Sequence, residues 1–180
     1  MFIGCSDSRV VPELFTQQGP GALFVVRNAG NIVPPHPVAL GGVSAGIEYA
    51  VAVLGVPDIV VCGHSGCGAM TAILQGGKQL ETLPQVSRWL RFAEAAQKIV
   101  AEQHPHSDHE TRLAAMVREN VLAQLDNLLT HPVVADAIAA KEVRLHGWIF
   151  DIPTATVTCY DAESGDFVPL AQAAFTNVAP

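Results

Sequence analysis

No stretch of the chain carries the ~18 consecutive apolar residues of a membrane-spanning helix, because glycine, proline or charge interrupts every run. A basic leader followed by an apolar block is also missing, so nothing marks the chain for secretion and it reads as cytoplasmic. Cysteine is sparse. The four residues, at 5, 62, 67 and 159, cannot build the dense disulfide framework of a small secreted domain; in a reducing compartment they stand as thiols or metal ligands. Charge is scarce as well, at 15% of residues with a net of −7, and the basic residues are scattered, which argues against a nucleic-acid partner. The chain also lacks internal repeats and low-complexity segments.

Apolar residues, by contrast, make up 49% of the 180 positions. That suffices for one domain, residues 1–180, with a core of its own. It exceeds what a small monomer needs, so part of the apolar surface is expected to face another copy of the chain. The opening Met1–Cys5 already has the character of a buried strand. A domain rarely begins in mid-strand, so the domain is expected to be truncated at its N-terminus.

Further along, the apolar run at Ala22–Arg27 predicts a second strand, and Asp58–Gly63 predicts a third that is apolar on both faces, as in parallel sheets covered by helices. Val10–Gln17 suits a short helix with Pro12 in its first turn. Gly42–Leu54 predicts a buried helix, and a glycine-rich turn at His64–Gly68 leads into another. Helical periodicity then predicts one long helix over Pro84–Gln103 and a second beginning at Ser107, where Ser107 and Glu110 have the spacing of a capping box. His131-Pro132 reads as a helix stop. Val143–Phe150 and Thr154–Tyr160 pair as a hairpin. Alternating strands and helices predict an α/β fold with a mainly parallel sheet flanked by helices.

Two motifs concentrate the reactive side chains, Cys5-Ser6-Asp7-Ser8-Arg9 and His64-Ser65-Gly66-Cys67-Gly68, each just past a strand end. If the first and third strands are neighbours, both motifs face one crevice, where sites form in open α/β sheets. His64 and Cys67, two residues apart, can reach one ion from a turn entering a helix. With Cys5 they make a three-ligand set that leaves the fourth tetrahedral position open, as in catalytic zinc sites. Buried cysteines are also common as small hydrophobes, and a histidine can simply hydrogen-bond a loop, so spacing alone leaves that reading open. Arg9 points the same way as Asp7 along an extended segment, where pairing would keep Asp7 ionised. A phosphatase-like use of Cys5 fits poorly, because the loop is too short to wrap a phosphate and metal ligation consumes the thiolate. A dithiol redox role lacks its Cys-x-x-Cys pair. His104, His106 and His109 read as a solvated connector between helices, Cys62 and Cys159 as core, and Trp89 and Trp148 as packing residues.

The two motifs resemble the signatures of β-class carbonic anhydrases. Phe24–Asn31, Ile47–Ala50 and Leu145–Trp148 resemble further family segments, so the likeness covers nearly the whole chain. Within the family, Gly41–Ala45, Met116–Asn120 and Phe167–Leu170 are most similar to the bacterial carbonic anhydrases encoded beside cyanase. The resemblance implies one Zn²⁺ per chain on Cys5, His64 and Cys67, with Asp7 and Arg9 as a dyad beside a zinc-bound water. It implies reversible hydration of carbon dioxide to bicarbonate and a proton by attack of zinc-bound hydroxide. Phe24, Ala29, Tyr49 and Gly68 would line the substrate pocket, some of them across the interface of a homodimer or a higher assembly of dimers. Phe2 stands where the bicarbonate-regulated subtype has tryptophan, and without an indole N–H donor that regulation is not expected, although Arg27 is present. Two other readings of the same motifs are a catalytically silent zinc protein serving as a structural or partner-binding subunit, and a hydrolase of a carbon dioxide analogue such as carbonyl sulfide.

Overall fold

The structure, a computed structural model, describes residues 1–38, 41–76 and 78–172, so the last part of the expected 1–180 domain lies outside the described residues. Six strands form one sheet in the order β2-β1-β3-β4-β5-β6. They are β1 (Phe2–Cys5), β2 (Val25–Asn28), β3 (Asp58–His64), β4 (Arg144–Asp151), β5 (Thr156–Asp161) and β6 (Asp166–Pro169). The first four in that order run parallel, whereas β5 and β6 return antiparallel at one edge. The expected mainly parallel α/β architecture is therefore present.

The connection from β1 to β2 goes one way, and the chain then crosses back to place β3 on the other side of β1. β1 and β3 are neighbours, with Phe2 opposite Val60 and Gly4 opposite Cys62, so their C-terminal ends open on the crevice where the strand order reverses.

Eight α-helices are described: α1 (Pro12–Phe15), α2 (Gly42–Glu48), α3 (Gly68–Gln75), α4 (Lys78–Glu81), α5 (Pro84–Leu90), α6 (Glu94–Gln103), α7 (His109–Leu129) and α8 (Pro132–Ala139). α2 continues into a wider π turn, Tyr49–Val53. The expected long helix over 84–103 is broken by a 3₁₀ turn at Arg91–Ala93, where Ala93 is buried and the Phe92 carbonyl accepts a hydrogen bond from Gln124 Nε2. The cap of α7 is Asp108 rather than Ser107, its side chain accepting from the Thr111 N–H at 2.8 Å. α7 ends at Leu129, just before the expected stop at His131-Pro132, and Pro132 also starts α8, because a missing N–H costs nothing in a first turn.

α7 lies directly on the sheet. A methyl group added at Gly147 of β4 would meet Val121 Cγ1 at 2.9 Å and Leu125 Cδ1 at 3.0 Å. Gly147→Ala is expected to push α7 away from β4 and lower stability by about 1–3 kcal/mol. A shift of the urea midpoint at unchanged slope checks this, and an unchanged midpoint contradicts it.

One polar stripe on α7 staples the segment after β2. Asn120 Nδ2 donates to the Gly30 carbonyl, Gln124 Oε1 accepts from the Val33 N–H at 2.8 Å, and Asn127 Nδ2 donates to the Val33 carbonyl. Just beyond, buried His131 bonds the Pro34 carbonyl through Nε2 at 2.9 Å. Burial lowers the proton affinity of His131 below the ordinary 6.5. As pH falls below about 6.5 the unfolded chain therefore takes up a proton that the folded chain refuses, and stability declines until the lowered folded value is passed. His131→Gln should flatten this part of the stability profile between pH 7.5 and 5.5, as read by urea unfolding (about two pH units spanning the free imidazole value).

Candidate metal centre

Cys5 ends β1, His64 ends β3, and Cys67 caps the N-terminus of α3. Their ligand atoms lie within 4.8 Å of one another, and all three residues are buried. His64 Nδ1 sits 3.0 Å from the Ser65 carbonyl, whereas its Nε2 is buried with no hydrogen-bond partner. An imidazole nitrogen left bare in a dry site costs free energy unless something occupies it. Between the two ligands, Gly66 takes φ +65°, a left-handed turn that brings His64 and Cys67 to the same side.

The two thiols share one hydrogen bond, and it acts on them in opposite directions. The hydrogen bond from Cys67, opposed by burial and aided by His64 and the backbone of Gly30 and Asp7, draws the Cys5 thiol well below its ordinary range. Its partner Cys67 is pushed upward by the same bond and by burial. Two thiols and an imidazole make a soft donor set suited to zinc.

Asp7 and Arg9 pair as the sequence led us to expect. Arg9 Nε donates to Asp7 Oδ1 at 2.9 Å, Nη2 to Oδ2 at 2.7 Å, and the Arg9 backbone N–H to Oδ1 at 3.0 Å. The side-chain hydrogen bond from Arg9 is the main reason the Asp7 carboxyl stays well below the usual range. Two supports, one of this loop and one of the turn after β2, were not recognised in the sequence. Arg27 Nε donates to the Cys5 carbonyl at 3.0 Å and Nη2 to the Asp7 carbonyl at 2.6 Å. Trp89 Nε1 donates to the Ala29 carbonyl at 2.9 Å, so Trp89 does more than pack.

Of the expected pocket residues, Phe24 and Tyr49 stack with ring centroids 6.1 Å apart, and Ala29 and Gly68 are exposed at the C-terminal end of β2 and the start of α3. Cys62 and Cys159 are buried in the sheet as expected. His104 ends α6 and His109 begins α7, and among the described residues the metal-capable cluster is the Cys5, His64 and Cys67 group. No helix of the described residues is long and apolar enough to cross a membrane.

A mainly parallel α/β sheet with two thiols and an imidazole converging at its switch point, and a carboxylate close by in sequence, presents a group able to hold a metal ion where open-sheet enzymes place their sites. The carbonic anhydrase family model matches residues 1–157. The carbonic anhydrase of Pseudomonas aeruginosa is 56% identical over 172 residues, covering 96% of this chain and 77% of that protein. The solved β-carbonic anhydrase CcaA superposes with a TM-score of 0.91 at 45% identity, over 93% of this chain and 82% of that one. One of two tetrameric β-carbonic anhydrases from Sordaria macrospora matches with a TM-score of 0.78 at 34% identity, over 88% and 78% of the two chains. The chain belongs to the β-carbonic anhydrase family, and it is an enzyme of that activity.

Proposed function

We propose that the enzyme interconverts carbon dioxide and bicarbonate with one zinc ion per chain, held by Cys5 Sγ, His64 Nε2 and Cys67 Sγ. The observation that carries this reading is the bare, buried His64 Nε2 facing two thiols, all within 4.8 Å of each other. Bound there, zinc supplies a Lewis acid that makes water nucleophilic near neutral pH, less strongly than in a three-histidine site because two thiolates offset its charge.

The chain's own residues do the rest. Asp7, kept ionised by Arg9, offers a carboxylate that accepts a hydrogen bond from the reacting water and orients it. Both Asp7 oxygens accept hydrogen bonds from Arg9, which compete with ligation to an ion and favour an open fourth position. Arg27 fixes the Cys5–Asp7 backbone on which this depends. Phe24, Ala29 and Tyr49 supply the apolar wall that carbon dioxide requires, and Gly68 offers its backbone to the substrate oxygens.

The wall is half open in one chain: Tyr49 is 50% exposed, and Val53 and Leu54 beside it are also exposed. Such a patch supports a homodimer or a higher assembly of dimers in which a second copy closes the pocket. Sedimentation equilibrium checks the assembly.

Stopped-flow hydration assays with a pH indicator, run beside a carbonyl sulfide assay, test the reaction itself. Turnover of carbon dioxide is expected. A zinc-loaded protein that leaves carbon dioxide untouched would contradict the proposal.

A further inference from the structure

Two of the three proposed ligands ride on one short turn, so their geometry depends on what holds that turn. His64 Nδ1 lies 3.0 Å from the Ser65 carbonyl. With the proton on Nδ1 the ring donates to that carbonyl and presents an unprotonated Nε2 to the ion. The aim of the imidazole thus follows the position of the Ser65 peptide.

Ser65 is itself tied to the far end of β4. Its N–H donates to the Phe150 carbonyl at 3.0 Å, and its hydroxyl oxygen accepts from the Ile152 N–H at 2.9 Å. The nearby Asp151 carboxyl is held below its ordinary range, mainly by Thr154 and with help from the Ser65 hydroxyl. Thr154 grips the same carboxylate through its N–H at 3.2 Å and its Oγ1 at 2.5 Å. The turn between β4 and β5, to which the sequence assigned no part in the site, reaches the metal-binding turn through one hydroxyl.

We propose that Ser65 is a positioning residue for the metal centre, coupling the His64–Cys67 turn to the Asp151–Thr154 turn and setting the aim of His64. Removing the hydroxyl leaves the Ser65–Phe150 backbone bond in place, so the fold persists while the turn gains freedom. The inference rests on the zinc reading above.

Zinc affinity of metal-free protein, measured by competition with a chromophoric chelator, tests it on the parent, Ser65→Ala, Ser65→Thr and Asp151→Asn. Ser65→Ala is expected to bind zinc about 10–100-fold more weakly. Its cobalt-substituted form should show an altered visible spectrum, its metal-free unfolding midpoint should match the parent's, and Ser65→Thr should restore affinity. Asp151→Asn, which keeps an acceptor for the hydroxyl, should fall between. Parent-like affinity and spectrum in Ser65→Ala would overturn the inference and leave the zinc reading standing. An affinity loss matched by an equal loss of metal-free stability would assign Ser65 a merely structural role and overturn it too. A parent that takes up no zinc would remove both readings together.

Discussion

Asp7→Ala is expected to slow carbon dioxide hydration about 10²–10³-fold while the protein keeps its zinc. Asp7 is not part of the Cys5, His64 and Cys67 cluster, and it accepts three hydrogen bonds from Arg9 that hold it ionised. On the proposed mechanism it therefore supplies an acceptor to the reacting water rather than a bond to the ion. Arg9 is largely exposed, with 55% of its side chain accessible, so losing its partner should cost little stability. Asp7→Asn, neutral but able to accept through its amide oxygen, should retain more activity than the alanine variant. Zinc content and rate measured on the same samples decide the matter. Loss of zinc from Asp7→Ala would show that the carboxylate is a ligand and contradict the role given to it here.

His64→Ala should abolish activity by a different route. Distributing the roughly 10–16 kcal/mol of a four-coordinate zinc site over its ligands gives about 3 kcal/mol each, so zinc affinity is expected to fall about 100-fold or more. His64 is fully buried and its Nε2 has no hydrogen-bond partner, so its truncation removes a donor without breaking a hydrogen bond of that nitrogen. The circular dichroism of the metal-free variant should match that of the metal-free parent. A variant that binds zinc as tightly as the parent would exclude His64 from the site.

These two results address residues that stand in the sequence with their chemistry exposed. The strands that carry them were legible because parallel strands covered on both faces read as short unbroken apolar runs, and both motifs follow such runs directly. The convergence of Cys5 with His64 and Cys67 depended on β1 lying next to β3, a condition that the sequence could pose and the sheet order meets. The Asp7–Arg9 pair was readable because two-residue spacing along an extended segment puts side chains on one side.

What stayed hidden is long-range. Arg27 reaches back 22 residues to the Cys5 carbonyl, Trp89 reaches 60 to Ala29, and Asn120 reaches 90 to Gly30. Periodicity carries no trace of such partners, and Asn120 and Gln124 interrupt the apolar stripe of α7 for a reason visible only in three dimensions. Local signals also competed. The pattern over 84–103 is helical throughout, yet docking Ala93 and freeing the Phe92 carbonyl for Gln124 break it. At α7 the Asp108 carboxylate captures the Thr111 N–H and displaces the capping box expected one residue earlier. Strand β6 pairs with β5 from Asp166 to Pro169 over four residues, too short a run to stand out from the turn before it.

The central claim is that carbon dioxide hydration depends on one metal ion seated on Cys5, His64 and Cys67. Titrating zinc into metal-free protein while following hydration by stopped flow tests it most directly. The rate should rise linearly and break at one equivalent per chain. Hydration by the metal-free protein at the full rate, or zinc saturating the chain without any rise in rate, would contradict it.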